Sequence, residues 1–232
     1  MNIELRLPMP VNSESYKNIL EELKDKNVTL VAVSKTKPAE EILELYNLGQ
    51  RDFGENYVQE LTEKYEQLPK DIQWHFIGHL QSNKIKYIAP FVSLIQGVDS
   101  KKLLIEIDKQ AKKNNREIDC LLQVHIATEE TKFGFDENEL HELLATDLTE
   151  YPNFKNVGIH GLMGMASFTD NMEKVRNEFK LLKSLFDKYS TLPVFNSQFS
   201  ILSMGMSADS KIAIEEGSNM VRIGSLLFGK RK

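Results

Sequence analysis

The chain has 232 residues, of which 41% are hydrophobic and 27% charged, and its formal net charge at pH 7 is −5. This composition is ordinary for a globular protein, and the negative balance speaks against a protein that binds the phosphate backbone of nucleic acids. No window approaches the roughly 18 consecutive apolar residues of a membrane span, and the N-terminus lacks the pattern of a signal peptide. We therefore expect a cytoplasmic protein that binds neither nucleic acid nor membrane.

Strand-like and helical patterns alternate along the chain. Apolar residues at helical spacing within 12–26 predict a helix ahead of the first strand. Eight strands are predicted at 28–34, 51–53, 73–77, 93–96, 118–126, 157–162, 199–203 and 220–223. Helices are predicted to begin near residues 38, 57, 81, 100, 136, 172 and 207.

This alternation favours a closed parallel (β/α)8 barrel of the TIM type with an extra N-terminal helix. An open, doubly wound sheet is the alternative, because a single sequence can add or hide a strand. No linker or low-complexity segment divides the chain, so we expect residues 1–232 to form one domain.

The first predicted strand ends on a lysine. Strand side chains alternate, so Lys35 shares one side with Val31 and Val33. An amine at the end of an apolar row is partly desolvated, which lowers its pKa and favours the neutral form that condenses with a carbonyl. A solvated lysine at a strand end is the alternative interpretation. Lys37 is the main rival amine, although next to Pro38 it should already turn toward solvent.

Two loops are suited to an anion, because barrels of this kind commonly bind phosphate after strands seven and eight. In the first loop, Gly205 could let the backbone approach a ligand, and Ser207 could open a helix whose free N–H groups attract an anion. In the second, Gly224 and Ser225 could present backbone N–H groups and a hydroxyl, while Arg222 supplies a cation. Each glycine could equally mark an ordinary turn.

Barrel closure would bring Lys35 to the same rim as these loops. An aldehyde that carries a phosphate would use all of these groups, and pyridoxal phosphate (PLP) also has a ring nitrogen that Arg222 could face. An arginine partner would keep that nitrogen unprotonated and weaken the ring as an electron sink. Such a site favours cofactor holding or modest carbanion chemistry.

Five segments together carry a family resemblance that spans nearly the whole chain. They read AVSKTKP at 32–38, FGENY at 53–57, WHFIG at 74–78 with LQSNK at 80–84, LSMGMS at 202–207, and GS at 217–218 with VRIG at 221–224. In combination they resemble the pyridoxal phosphate homeostasis protein family, which is related to the N-terminal barrel of alanine racemase. The resemblance implies the barrel fold and PLP as the cofactor.

The resemblance also implies cofactor-binding roles, and no catalytic role, for six residues. They are Lys35 as the amine that forms a Schiff base with PLP, Ser207, Gly224 and Ser225 at the phosphate, Arg222 at the pyridine nitrogen and Asn56 at the border of the ring.

The function implied is the storage, buffering or delivery of PLP, with PLP-dependent apoenzymes as recipients and a monomer or weak homodimer as the assembly. A racemase needs a second acid or base opposite its lysine, which the resembled racemase takes from a C-terminal domain. Only residues 226–232 follow the last strand and its loop here, so we expect little turnover. Two alternatives stay open: a PLP-dependent amino-acid racemase or lyase, and a cofactor-independent aldolase that acts on a sugar phosphate.

Three further residue types in the sequence could carry chemistry. His75 and His79 have metal-like spacing, but they flank a glycine between strand and loop, so we predict no metal site. Glu55 is interpreted as a carboxylate at a helix start rather than as an acid or base. The single cysteine, Cys120, is expected to be a buried, inert thiol.

Overall fold

A computed structural model describes residues 11–128, 133–147, 154–192 and 199–229. They contain eight parallel strands that pair in sequence order, and β1 also pairs with β8, so the sheet closes on itself. The strands are β1 Thr29–Val33, β2 Asp52–Glu55, β3 Gln73–Phe76, β4 Leu94–Val98, β5 Ile118–Val124, β6 Val157–Gly164, β7 Ile201–Met206 and β8 Met220–Ile223. The predicted (β/α)8 barrel is confirmed, and the open sheet is wrong.

Helices surround the barrel, and the predicted extra N-terminal helix is present. In chain order they are α1 Ser13–Lys24, α2 Ala39–Asn47, α3 Val58–Gln67, α4 Ile85–Ile88, α5 Lys101–Lys113, α6 Glu137–His141, α7 Met172–Ser190, α8 Ser210–Glu215 and α9 Ser225–Phe228. A 3₁₀ turn, Ser82–Lys84, precedes α4, and a π turn, Glu142–Asp147, follows α6. In the described part of the chain, none of the helices has the length and apolarity needed to cross a bilayer.

Most predicted boundaries lie close to the observed ones, but two differences matter for function. The helix predicted from Ser207 begins only at Ser210, because 207–209 form a turn in which Met206 N donates to Asp209 Oδ1 at 2.5 Å. The second strand, predicted at 51–53, continues to Glu55. Glu55 is therefore the last residue of β2, at the rim of the barrel, and precedes α3.

The barrel has a large apolar layer outside its strands and a small one inside. The outer layer packs the strands against the helices and includes the fully buried Trp74 and Phe53. The inner layer consists of Val31, Leu94, Leu121, Met163 and Met220. Cys120 is fully buried in the outer layer, as expected, and burial raises the pKa of its thiol.

Candidate functional site

A cavity of about 440 Å³ opens at the carboxyl-terminal end of the strands. The six residues predicted to bind a cofactor all line it: Lys35, Asn56, Ser207, Arg222, Gly224 and Ser225. They come from the ends of the first, second, seventh and eighth strands or the loops that follow. The structure therefore brings the predicted site residues together, while their individual roles stay predictions.

The pairing of β1 with β8 explains why Lys35 and Gly224 share this rim. Val31 lies opposite Arg222 in the register, so Val33 reaches Gly224 two residues later. A Cβ added to Gly224 would lie 3.1 Å from Val33 O and 3.3 Å from Val33 Cβ. The missing side chain lets the end of β8 approach the strand that carries Lys35.

Gly205 has a different role from the one predicted. Its φ of +95° is in the left-handed region, and a Cβ there would lie 2.5 Å from Ala213 Cβ of α8. Glycine therefore permits the turn and the close approach of α8, and Gly205 does not line the cavity. Ser207, in the turn before α8, does line it, and its Oγ accepts from Gly224 N at 3.3 Å. The prediction that Ser207 opens a helix is wrong.

Arg222 is a buried cation at the base of the cavity. Its Nη1 donates to Ser203 Oγ at 2.6 Å and its Nη2 to Gly164 O at 2.9 Å. Burial lowers the pKa of the guanidinium to about 10, and the charge of Asp209 opposes this shift. No carboxylate in the described residues lies within salt-bridge distance of Arg222. A buried cation without an ion pair favours an electron-rich group in the cavity.

A chain of hydrogen bonds inside the barrel continues from Arg222, and the sequence analysis missed it. Ser203 Oγ donates to Gln96 Oε1 at 2.7 Å, and Gln96 Nε2 lies 2.9 Å from His75 Nδ1. His75 Nε2 lies 3.1 Å from Asp52 Oδ1. A carboxylate only accepts, so Nε2 carries the proton and Nδ1 accepts from Gln96. We call these four partners the inner network: Ser203, Gln96, His75 and Asp52.

Both ring nitrogens of His75 have hydrogen-bond partners in the inner network. His79 pairs instead with Asp99 at 2.9 Å and stacks on Phe133. Within the described ranges there is no group of three or more His, Cys, Asp or Glu side chains that could hold a metal ion.

Asn56 follows β2 and borders the cavity with an unused acceptor. Its Oδ1 is buried and has no hydrogen-bond partner among the described residues. A Cβ on Gly78 would lie 2.5 Å from Asn56 O, so the loop after β3 can pass close to Asn56 only because residue 78 is glycine. Buried polar atoms are usually paired, and an orphaned acceptor at a cavity indicates a place for a ligand.

Glu55 and Lys64 form a second buried cluster, next to the loop that carries Lys35. The Glu55 carboxylate accepts from Ser34 Oγ at 2.6 Å and from Lys64 Nζ at 2.7 Å. Burial raises the pKa of Glu55 to about 7, although Lys64 opposes the shift. The interpretation of Glu55 as a helix-start carboxylate is wrong, because Glu55 is the last residue of β2 and its carboxylate is paired with Lys64.

Lys64 was missed, but the sequence holds a signal for it. It is three residues after Leu61 and four before Leu68, so it lies on the buried face of a helical pattern. A lysine on such a face is rare unless its ammonium is paired.

Lys37 does not turn into solvent as predicted. Its side chain is 13% exposed, and its ammonium lies 3.4 Å from Glu41 Oε2. It also donates to Phe228 O at 2.5 Å. Lys37 therefore fastens the loop after β1 to α9, although it also lines the cavity.

Apolar side chains also line the cavity, and no sequence pattern distinguishes them from core residues. They include Met165, Met206, Phe228 and Phe168, of which Phe168 is 96% exposed. The cavity thus combines polar and cationic groups with apolar side chains.

Comparison with known proteins places the chain in a family. The family model "Alanine racemase, N-terminal domain" matches residues 13–232. The pyridoxal phosphate homeostasis protein of Aquifex aeolicus is 47% identical over 204 residues, which cover 88% of this chain and 87% of that protein. The protein of the same name from Haemophilus influenzae is 40% identical over 216 residues, covering 91% and 89%.

A solved structure agrees with the sequence matches. PipY of Synechococcus elongatus, determined without PLP, is 33% identical, with a TM-score of 0.86 over 94% of this chain and 99% of PipY. PipY has also been determined with PLP bound, and that structure gives a TM-score of 0.83. The extent and identity of these matches show that the chain belongs to the pyridoxal phosphate homeostasis proteins, within the family of the alanine racemase N-terminal domain.

Proposed function

We propose that this chain binds PLP in the cavity and serves PLP homeostasis by storing, buffering or delivering the cofactor. The observation that carries the proposal is one cavity lined by an amine, a buried guanidinium and two serine hydroxyls: Lys35, Arg222, Ser207 and Ser225. The name of the relatives and the PLP-bound structure of PipY support it.

The residues present fit the parts of PLP. An aldehyde condenses with an amine, and Lys35 is the proposed partner in a Schiff base. Ser207 and Ser225 offer hydroxyl donors for a phosphate, next to Gly224.

The remaining two residues suit the ring. Arg222 uses donors on both of its terminal nitrogens toward Ser203 and Gly164, and a guanidinium has five in all. Donors are thus left for the ring nitrogen, and the unpaired Oδ1 of Asn56 suits a polar group at the border of the ring.

The residues that line the cavity favour binding of PLP over catalysis with it. Racemisation requires a second acid or base that faces the substrate carbon opposite the lysine. In the described part of the chain, no carboxylate, imidazole, phenol or thiol lines the cavity. Lys37 also lines it, but its ammonium is engaged by Glu41 and Phe228 O. We therefore propose a PLP holder rather than a racemase or lyase.

Wider features of the function follow as proposals. A protein that delivers PLP must release it to acceptors, so we propose PLP-dependent apoenzymes as recipients. We propose a single domain over residues 1–232, a monomer or weak homodimer, and a cytoplasmic location. The buried thiol of Cys120 suits a reducing compartment.

The proposal is tested by the absorbance of the purified protein after incubation with PLP. We expect a band near the visible edge that Lys35→Ala abolishes. Lys17→Ala is the control, since it removes an exposed amine that does not line the cavity and should leave the band in place. A Lys35→Ala variant that keeps the band would contradict the role of Lys35. Racemisation of amino acids above the level of free PLP would instead favour the enzyme alternative.

A further inference from the structure

Side chains of α3 hold the backbone on both sides of Lys35. Before Lys35, Ser34 O accepts a hydrogen bond from Lys64 Nζ at 2.8 Å. After it, Thr36 N donates to Glu60 Oε1 at 2.5 Å. Lys64 and Glu60 are one helical turn apart, and their charged groups contact each other. The loop that carries Lys35 is therefore clamped at two points by one helix.

Thr36 has a backbone conformation that requires such a clamp. Its φ is +64°, in the left-handed region, and it is β-branched. The other described non-glycine residues with positive φ are Asn27 and Asn115, and asparagine tolerates this region. A strained conformation persists only where the surroundings enforce it, and such strain concentrates at ligand sites.

The clamp is stabilised by charge and by burial. Lys64 Nζ contacts three acceptors, namely Ser34 O, Glu55 Oε1 and Glu60 Oε1, and the Lys64 side chain is 7% exposed. Two carboxylates thus offset the cost of burying one ammonium. We call Glu55, Glu60 and Lys64 the outer network, because it lies between the barrel and α3. None of its residues lines the cavity, so it can reach a ligand only through the loop.

We propose that Lys64 and Glu60 are positioning residues that fix the loop of residues 34–36 so that the Lys35 amine points into the cavity. The inference rests on the proposed role of Lys35 in PLP binding. It predicts that weakening the clamp harms bond formation at Lys35 and spares the contacts that other residues make with the ligand.

The test compares two ligands on the variant Glu60→Ala. PLP has the aldehyde that Lys35 would bind, whereas pyridoxine 5′-phosphate keeps the ring and phosphate but has an alcohol in its place. We expect PLP affinity to fall about tenfold, the size of one charge-assisted hydrogen bond. Affinity for pyridoxine 5′-phosphate should stay within about twofold of wild type, since its other contacts remain.

Two matched variants make the result specific. Glu63→Ala removes an exposed glutamate from the same helix and should change neither affinity. Glu60→Gln keeps an acceptor for Thr36 N and should recover most of the PLP affinity. Equal losses for both ligands, or an unchanged PLP affinity in Glu60→Ala, would overturn the positioning role.

A second readout needs no ligand and separates this inference from the proposed function. Competitive acetylation of the ligand-free protein measures the reactivity of Lys35 against that of an internal reference, Lys84. We expect Glu60→Ala to change the labelling rate of Lys35 at least about threefold, and unchanged labelling would overturn the inference. Wild-type protein that binds neither ligand would contradict the proposed function, whereas the labelling result would still decide the positioning role.

Discussion

The inner and outer networks are both polar and each is only partly exposed to solvent, at Asp52 and at Glu60, but charged groups are paired differently in the two. In the inner network, Arg222 is followed by Ser203, Gln96 and His75, which are uncharged in their observed hydrogen-bonding pattern, before Asp52 is reached. In the outer network, the ammonium of Lys64 directly meets the carboxylates of Glu55 and Glu60.

This difference separates binding a ligand from holding the backbone. Dipoles orient the Arg222 guanidinium without neutralising it, so its charge and remaining donors are available to a ligand in the cavity. The ion pairs around Lys64 use its charge locally, and what they act on is the loop beside Lys35. The partners of a buried cation thus indicate its role. Uncharged dipoles leave the charge available to a ligand, whereas carboxylates use it to stabilise the fold.

The largest expected effect is on stability, from Lys64→Met in the outer network. Removing the cation leaves the buried Glu55 and the partly exposed Glu60 without their partner, which costs about 3–5 kcal/mol. Urea denaturation should show this loss in the free energy of unfolding. Lys17→Met, at an exposed position of α1, is the control and should change it by less than about 0.5 kcal/mol. Equal stability of the two variants would mean that the outer network does not stabilise the fold.

A slightly smaller effect on the free energy of unfolding is expected when the pH is raised, because Glu55 then loses its proton. Its pKa is raised from 4.5 to about 7, so between these values the folded state binds more protons than the unfolded state. Its contribution to stability is therefore fully present below pH 4.5 and is lost as the pH rises through 7. The difference is on the order of 3 kcal/mol.

Glu55→Gln isolates this contribution, because the amide has no proton to release. Unfolding curves measured between pH 4.5 and 7.5 should show a loss of stability in the wild type that is reduced in the variant. Parallel pH profiles for the two proteins would contradict the raised pKa of Glu55.

The smallest effect is expected in the inner network, from Gln96→Leu. Its neighbours Ser203 and His75 each lose a partner, which costs about 1–3 kcal/mol of stability. Arg222 is then less firmly oriented, so the affinities for PLP and pyridoxine 5′-phosphate should fall together by about three- to tenfold. Gln123→Leu changes another buried glutamine, which bonds to Phe133 O, and should leave both affinities unchanged. If Gln96→Leu lowered the affinity for PLP but not that for pyridoxine 5′-phosphate, it would behave as Glu60→Ala is expected to. The proposed difference in function between the two networks would then be wrong.

The sequence predicted the rim of the barrel better than the networks behind it. Lys35 could be found because a strand pattern ends on it, and barrel closure then brought it next to Gly224. The contact between Gln96 and Ser203 joins residues 107 positions apart, and each looks like an ordinary polar residue in a strand. Such pairings depend on the register across the barrel, which no local pattern reports.

The errors have a similar physical origin. The sequence analysis predicts Gly205 and Ser207 as parts of an anion-binding loop. In the structure, packing against α8 decides the conformation of Gly205. Glu55 was placed at a helix start because the second strand was predicted two residues too short. Burial by a neighbouring element, rather than local propensity, determined the outcome at these positions.

The most direct test of the central claim is mass spectrometry of the protein after incubation with PLP and reduction with borohydride. The account predicts one pyridoxyl phosphate group per chain, carried by the peptide that contains Lys35 and absent from Lys35→Ala. A modified peptide from elsewhere in the chain, or no stable modification at all, would contradict it.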